Sequence, residues 1–360
     1  MRARAERYGQ VMPPDRGVAD AAGVAEMADL RGPVRLYSPR PHVQAALDLI
    51  LGTDRDNGVV PADHLPGVLE RVLESLSATE AAEVMVVHDK DGPVWIETAM
   101  SARHRLKTGW LPPLLAGPEL DIWFQPIVDV ANVRIVGREA LVRATALGRL
   151  RSGREIVEAA AAHGLLFALD QRARTEAIRH AAPLLKPGEM LYLNLSPSAV
   201  DDPELCLAPT WAAAREAGLD IERLCLELVS ADSSPDRELL RRLRNHCRDM
   251  GALVVLDDLG AGGASMHALR ELRPDLVKLD RTLLLGLSYD ASRQRLVSAM
   301  IDFAHELGIR VVAHGIEDED DLSAIASLGA DSVEGFLLGQ PAAWMDSLSM
   351  SAQEALSRLR

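Results

Sequence analysis

The chain has 360 residues, of which 48% are hydrophobic but only 4% aromatic, so its cores must be mostly Ala, Leu and Val. That suits helix-rich α/β layers better than an aromatic-rich β-sandwich, and the length allows roughly two domains. A formal net charge of −14 argues against a nucleic-acid-binding surface, which needs clustered positive charge, but admits a small anion where metal ions or local Arg and Lys neutralise the site.

Residues up to about Arg40 mix Ala, Arg, Asp and Gly with scattered Pro and read as weakly ordered or as short helices, such as one near Ala19 to Leu30. Val43 to Leu51 and Leu65 to Leu76 have helical apolar spacing. Glu83 to His88 and Pro93 to Ala99 read as strands joined by the hairpin turn Asp89-Lys90-Asp91-Gly92. The spacing predicts a small α/β or α+β module over residues 1–118, read as a dimerisation or packing extension, with a sensory role as the alternative. Gly109, Pro112, Pro113, Gly117 and Pro118 mark a linker or boundary at about 106–118.

From residue 119 to 360 strands and helices alternate. The strands are Phe124 to Val130, Ile135 to Val142, Met190 to Leu195, Leu224 to Val229, Leu253 to Asp258, Leu276 to Leu279, Arg310 to Ala313 and Ser332 to Leu338. Helices fall at Arg154 to His163, Leu169 to Leu185, Pro203 to Ala217, Asp236 to Met250, Ser265 to Leu272, Ala291 to Leu307, Asp318 to Leu328 and from Trp344 onward. About eight such units imply a parallel sheet closed as a (β/α)8 barrel. An open doubly wound sheet is the alternative, but no Gly-x-Gly-x-x-Gly follows the first strand.

Cys206, Cys225 and Cys247 are odd in number, widely spaced and without a C-x-x-C pair, which disfavours a disulfide framework or structural zinc and suits a reducing cytoplasm. The N-terminal residues carry no apolar leader and no stretch approaches a membrane span, so the expectation is a cytoplasmic chain without a membrane partner.

Parallel barrels carry their chemistry at the C-terminal ends of their strands. Here those ends offer Glu139 and Arg143, Asn194, Glu227, the adjacent Asp257 and Asp258, Lys278 and Asp280, His314 and Glu317, and Glu334. Any one of these alone reads as a solvated strand end or turn cap. Together, carboxylates and an amide oxygen without a thiolate make a hard-oxygen site for Mg²⁺ or Mn²⁺. With Asp257 able to bridge, two ions suit phosphodiester hydrolysis, and Lys278 and Arg143 would complement the phosphate.

Phe124-Gln125-Pro126-Ile127-Val128, Arg138-Glu139-Ala140-Leu141-Val142-Arg143, Asn194-Leu195-Ser196, Glu227-Leu228, Asp257-Asp258-Leu259-Gly260, Lys278-Leu279-Asp280 and Gly335-Phe336 resemble, in order, the motifs of the EAL domain. The resemblance covers about Glu119 to Pro341. It implies a modified TIM barrel with an antiparallel first strand, and a bacterial signalling protein that binds cyclic di-GMP. Active members hydrolyse that dinucleotide to linear pGpG by a two-metal mechanism. The resemblance gives Glu139, Asn194, Glu227 and Asp257 to one metal, and Asp257 and Asp258 to the other. Lys278 would act between the metals on water or phosphate, and Arg143 would contact a ligand phosphate. Asp280 and Glu334 are assigned to the ligand side, and Glu317 with Asp258 to the catalytic set. A homodimer is a family-level expectation, and residues 1–118 would meet a protein partner.

Three positions depart from the family pattern. His314 stands where active members carry a second-metal Glu, which leaves either lost hydrolysis or a rebuilt second site with His314 as ligand. Ser230 replaces a Glu that anchors the loop after the aspartate pair, and that loop, Ala261-Gly262-Gly263-Ala264-Ser265, is rich in glycine and lacks the usual aromatic. Glu334 replaces a Gln, so an acceptor stands where a donor–acceptor is usual, and a pairing with His314 would suit a rearranged site. A catalytically degenerate receptor for the dinucleotide, or a signalling interaction module, is the competing expectation.

Overall fold

Two patterns of apolar spacing build two separate cores. The computed structural model describes residues 34–52, 59–88, 95–118, 120–229, 236–260 and 265–359. The helix expected near Ala19 to Leu30, the Asp89–Gly92 turn, Ser230 and residues 261–264 lie outside the described residues. One unit comprises Met1–Glu119 with Thr145–Leu165, and the other Leu120–Ala144 with Leu166–Arg360.

The first unit holds an antiparallel sheet in the order β2-β1-β3-β4, formed by β1 (Val34–Tyr37), β2 (Val59–Val60), β3 (Met85–His88) and β4 (Trp95–Thr98). β1 corrects the reading of everything before Arg40 as weakly ordered or helical. Val34 and Leu36 are buried while Arg35 and Tyr37 are exposed, the period-two alternation of a half-buried strand. Helices α1 (Pro41–Leu51), α2 (Leu65–Ser75), α3 (Ala78–Ala81) and α4 (Ala99–Lys107) belong to this unit, and Leu47 and Leu69 share its core with Val86 and Ala102. Glu97 is buried and accepts from Arg105, with His88 Nε2 3.1 Å away. The breaker-rich stretch expected as a linker forms helix α5 (Leu111–Ala116), because Pro112 and Pro113 fall in its first turn, where backbone N–H groups have no helical partner. β7 (Arg149–Arg151) and α6 (Gly153–His163) also belong here, and Thr108 Oγ1 lies 3.2 Å from His163 Nε2.

The second unit is a closed barrel of eight strands: β5 (Leu120–Asp129), β6 (Arg134–Ala146), β8 (Met190–Leu195), β9 (Leu224–Leu228), β10 (Leu253–Leu259), β11 (Leu276–Leu279), β12 (Arg310–His314) and β13 (Ser332–Glu334). β5 runs antiparallel to both neighbours, β6 and β13, and the remaining adjacent pairs are parallel. Helices α7 (Leu166–Ala181), α8 (Pro203–Glu216), α9 (Arg237–Asp249), α10 (Ser265–Leu272), α11 (Arg281–Leu284), α12 (Ala291–Glu306), α13 (Glu319–Ser327) and α14 (Met350–Ser357) complete it. α9 is typical: Asp236 caps its N-terminus through Leu239 N at 2.8 Å, and Leu240, Leu243 and Cys247 form its buried stripe.

Two expectations shift at the C-terminus. The last strand stops at Glu334 rather than Leu338, because the chain turns at Gly335, where a Cβ would sit 2.0 Å from the backbone oxygen of Ile316. The closing helix begins at Met350 rather than Trp344; Trp344 instead packs edge-on against Phe124 at 5.1 Å, with the Arg138 guanidinium 4.2 Å from its ring.

The barrel interior is plugged by a layer from successive strands: Ile127, Tyr192, Cys225, Val255, Leu276 and Val312. Gly137 makes room for it, since a Cβ there would stand 2.4 Å from Tyr192 Cε2. A ring held in a packed layer cannot yield easily, so Gly137→Ala is expected to lower the unfolding free energy by about 1–3 kcal/mol in urea titration. An unchanged midpoint would show that the layer is loosely packed.

Candidate functional site

Side chains two residues apart on a strand share a face. One step beyond the plug, the same strands therefore deliver a polar layer: Asn194 after Tyr192, Glu227 after Cys225, Asp257 after Val255, Lys278 after Leu276 and His314 after Val312. Register adds the rest, for Glu139 of β6 stands opposite Tyr192, and Glu334 of β13 opposite His314.

Lys278 is the centre of this layer. Its Nζ lies 2.7 Å from Glu139 Oε2, 2.7 Å from Glu227 Oε1 and 3.0 Å from Glu334 Oε2. The lysine is 1% exposed and Glu227 and Glu334 are fully buried. Asn194 Nδ2 donates to the other Glu139 oxygen at 3.2 Å. Below the ammonium, the Tyr192 ring centroid is 5.8 Å away. Tyr192 and Gly137 are the site-building residues that the sequence reading missed; their signal is the alternation itself, two positions before Asn194 and Glu139 on the same strand faces.

The charges do not balance by themselves. Five carboxylates, from Glu139, Glu227, Glu334, Asp257 and Asp258, act on one ammonium. Burial opposes the charge on Lys278, but the carboxylates, Glu139 foremost, outweigh it and raise its pKa well above the usual value. Burial also pushes Glu139 up, yet Lys278 and then His314 pull it down to about 2. Burial drives Glu227 and Glu334 well above the carboxylate range, and Lys278 only partly offsets this. Glu139 and Glu334 also act on each other, Glu334 helping to hold Glu139 down while Glu139 helps to push Glu334 up. Asp257 is raised by burial and Asp258 to about 6 by burial, then by Asp257 and Asp280. His314 is lowered, chiefly by burial and then by Lys278, and so favours the neutral imidazole.

The aspartate pair sits in a bulge, where the β10–β11 register shifts between Leu256 and Leu259. Asp258 has φ 58°, and its N–H donates to Asp257 Oδ1 at 2.8 Å. A bulge suspends the alternation that would send neighbouring side chains to opposite faces, which agrees with the shared influence of Asp257 and Asp258 on Lys278.

The remaining expected residues stand further out. Arg143 is half-buried, its guanidinium 5.5 Å from the Trp123 ring centroid and its Nη1 donating to Val142 O. Asp280 caps α11 by accepting from Thr282 N at 2.9 Å, while its charge still reaches Asp258 and His314. Glu317 is exposed and pairs with Arg281 at 2.8 Å, and among the described residues no ion pair or hydrogen bond joins it to the Lys278 cluster.

Divalent cations fit this layer. Although Glu227 Oε1 and Glu334 Oε2 lie near the ammonium, no oxygen of either carboxylate meets a hydrogen-bond donor at an acceptable angle. Buried acceptors left in that condition are costly unless a proton or cation serves them. A ligand oxygen from each of Glu139 and Glu334 and a His314 nitrogen lie within 4.8 Å of one another.

The family model described as EAL domain matches residues 109–341. The chain belongs to the EAL domain family. Among curated relatives of this EAL chain, the bifunctional diguanylate cyclase/cyclic di-GMP phosphodiesterase MucR of Pseudomonas aeruginosa is 27% identical over 72% of the chain and 39% of its own length. The probable cyclic di-GMP phosphodiesterase PdeI of Escherichia coli is 27% identical over 69% of the chain and 31% of its own. The chain spans about a third of the length of the first curated relatives it matches, 36% of an uncharacterized Sinorhizobium fredii protein and 31% of one from Azorhizobium caulinodans. Among solved structures, a standalone EAL protein of Vibrio cholerae bound to c-di-GMP superposes with TM-score 0.59 at 26% identity, covering 64% of this chain and 96% of that one. Klebsiella pneumoniae BlrP1 with manganese and cyclic di-GMP gives TM-score 0.56 at 25% identity, covering 63% and 57%. Among the described residues no helix of this EAL chain is long and apolar enough to cross a membrane.

Two outcomes follow for the EAL chain in chelator. Lys278→Met, which removes the one cation from buried carboxylates, is expected to cost about 3–5 kcal/mol in denaturant titration. A loss below about 1 kcal/mol would mean that the carboxylates are already fully protonated. The second outcome concerns pH. The folded chain keeps Asp257, Asp258, Glu227 and Glu334 protonated to higher pH than the unfolded chain does. It therefore binds more protons, and stability falls as pH rises. For Asp258 the loss runs from its ordinary 3.8 to about 6, while Glu139, at about 2, stays ionised throughout and adds no slope above its unfolded value. His314, lowered from its ordinary 6.5, opposes this over the same interval, but four acids outweigh one imidazole, so the melting temperature in chelator should drop from pH 5 to pH 7, and a rise would contradict the cluster's charge imbalance.

Proposed function

We propose that this EAL barrel binds cyclic di-GMP at its polar mouth and hydrolyses one phosphodiester to linear pGpG with two divalent cations, Mg²⁺ or Mn²⁺. The observation that carries this reading is the layer of Glu139, Asn194, Glu227 and Asp257 around one buried lysine. It draws further support from relatives named as cyclic di-GMP phosphodiesterases and from a similar barrel solved with manganese and that dinucleotide.

Glu139, Asn194, Glu227 and Asp257 would hold one cation, and Asp257 with Asp258 the other. Bound there, the pair would supply Lewis-acid polarisation of the phosphodiester and acidify water. The protein's own groups do the rest. An ammonium has three N–H donors, and three carboxylates face Lys278. With those carboxylates engaged in holding cations, the N–H groups of Lys278 would be free to donate to phosphate or water. Arg143, braced by Val142 O and Trp123, turns its remaining donors to a ligand phosphate. Glu334, buried beside Lys278, would act on the ligand side. Asp280 and Glu317 act as positioning residues, one fixing α11 and the other holding Arg281.

A second reading, a receptor that binds cyclic di-GMP without turnover, is favoured by one observation. Burial raises Glu334 well above its ordinary value, so it holds a proton that must leave before it can serve a cation, which weakens the site near neutral pH. The N-terminal module, residues 1–118, would then pass the bound state to a protein partner or a second copy of the chain, in the cytoplasm.

The test is product analysis with Mg²⁺ and Mn²⁺ alongside calorimetric titration of the dinucleotide. Turnover to pGpG with Glu139→Gln inactive supports the enzyme, and tight binding without product under either metal supports the receptor. Failure to bind the dinucleotide overturns both. His314→Glu, which adds a carboxylate to the layer, is expected to raise turnover in Mg²⁺ by about tenfold or more if the imidazole limits that metal.

A further inference from the structure

We infer that Glu139, His314 and Glu334 form a mixed nitrogen–oxygen metal site that takes a first-row transition ion such as Zn²⁺, Co²⁺ or Fe²⁺ in preference to Mg²⁺. The inference deepens the functional reading above and rests on the same barrel mouth, but it concerns which ion this chain's own residues select.

Three observations converge. The three side chains come from β6, β12 and β13, and one ligand atom from each lies within 4.8 Å of the others. His314 and Glu334 are register partners on adjacent parallel strands, so backbone pairing fixes their spacing. Glu334 is fully buried, and neither of its oxygens meets a donor at an acceptable angle. Its Oε2 has the Lys278 ammonium at 3.0 Å. A buried carboxylate oxygen left in this state, beside an imidazole and a second carboxylate, is a ligand position rather than a structural contact.

The donor set determines the ion. Mg²⁺ favours six hard oxygens and parts reluctantly with its waters. An imidazole nitrogen adds little for Mg²⁺ but much for the later divalent ions, whose affinity climbs along the Irving–Williams order. One His and two carboxylates leave positions open for water or a phosphate oxygen, the arrangement of a catalytic rather than a structural transition-metal site.

The experiment uses the full chain, stripped with chelator and titrated with Co²⁺ while the ligand-field absorption is recorded, with no nucleotide present. The expected result is a visible band of low-coordinate Co²⁺ that Zn²⁺ abolishes and excess Mg²⁺ does not. His314→Gln and Glu334→Gln should each weaken Co²⁺ binding by at least about tenfold, since even outer-shell partners are worth roughly 10–100-fold in metal affinity. His314→Glu should lower the Zn²⁺-to-Mg²⁺ affinity ratio by a similar factor while the circular dichroism stays native, so a loss of fold is told apart from a loss of selectivity. Co²⁺ affinity unchanged in both Gln variants, or a band removed equally by Mg²⁺, overturns the inference. Cyclic di-GMP binding is measured on the same samples by calorimetry. A His314-dependent band without nucleotide binding defeats only the functional reading, and nucleotide binding without the band defeats only this one.

Discussion

Everything at the barrel mouth depends on one buried ammonium and the carboxylates that surround it. Lys278 sits with three glutamates within 3.0 Å at almost zero exposure. Such an arrangement is a poor way to gain stability, because desolvating several charges costs about as much as their attraction returns. The apolar plug beneath it, from Ile127 to Val312, shows that the barrel could have continued its aliphatic packing by one more layer. It instead places five carboxylates against one lysine. The excess negative charge is a standing demand for protons or cations, and it ties the fold to a ligand chemistry.

The barrel meets that demand by simple geometry. Alternation along each strand puts the plug and the polar layer two residues apart, and parallel pairing holds neighbouring strands at matched heights, as with Asn194 opposite Glu227. The site is therefore only as well placed as the plug is packed. Gly137 and Tyr192 matter for this reason. One irregularity was needed, the bulge at Asp257 and Asp258, where a left-handed Asp258 lets consecutive aspartates act on the same lysine.

Much of this was legible in the amino-acid order, and the parts that were not have physical causes. Aliphatic runs ending in a single polar residue, such as Leu276-Val277-Lys278 or Val311-Val312-Ala313-His314, announce buried parallel strands and their chemically useful ends. The antiparallel first strand, by contrast, came from family resemblance, because the residues of β5 do not encode their direction. Val34–Tyr37 was overlooked although its alternation is clear, since four residues amid Ala, Arg and Pro give too little length to outweigh composition. Trp344 was read as the start of a helix because helical spacing of apolar residues looks alike whether they pack within a helix or, like this indole, against Phe124 and Arg138 from a loop. The convergence of Glu139, Glu227 and Glu334 on one nitrogen was beyond reach, because it joins residues from three distant strands.

The same limit bears on His314 and Glu334. In the linear chain they are two unrelated departures from the family pattern, one removing a carboxylate and one adding it. In the barrel they are register partners, and both contribute to the electrostatics of Glu139 or share its surroundings. Set against that pattern, a carboxyl group stands on the neighbouring strand, and an imidazole stands where the resemblance expects a carboxylate. An imidazole on β12 beside a carboxyl group on β13 makes a mixed nitrogen–oxygen donor set with Glu139, and the glutamate at position 334 is as much a part of that set as the histidine.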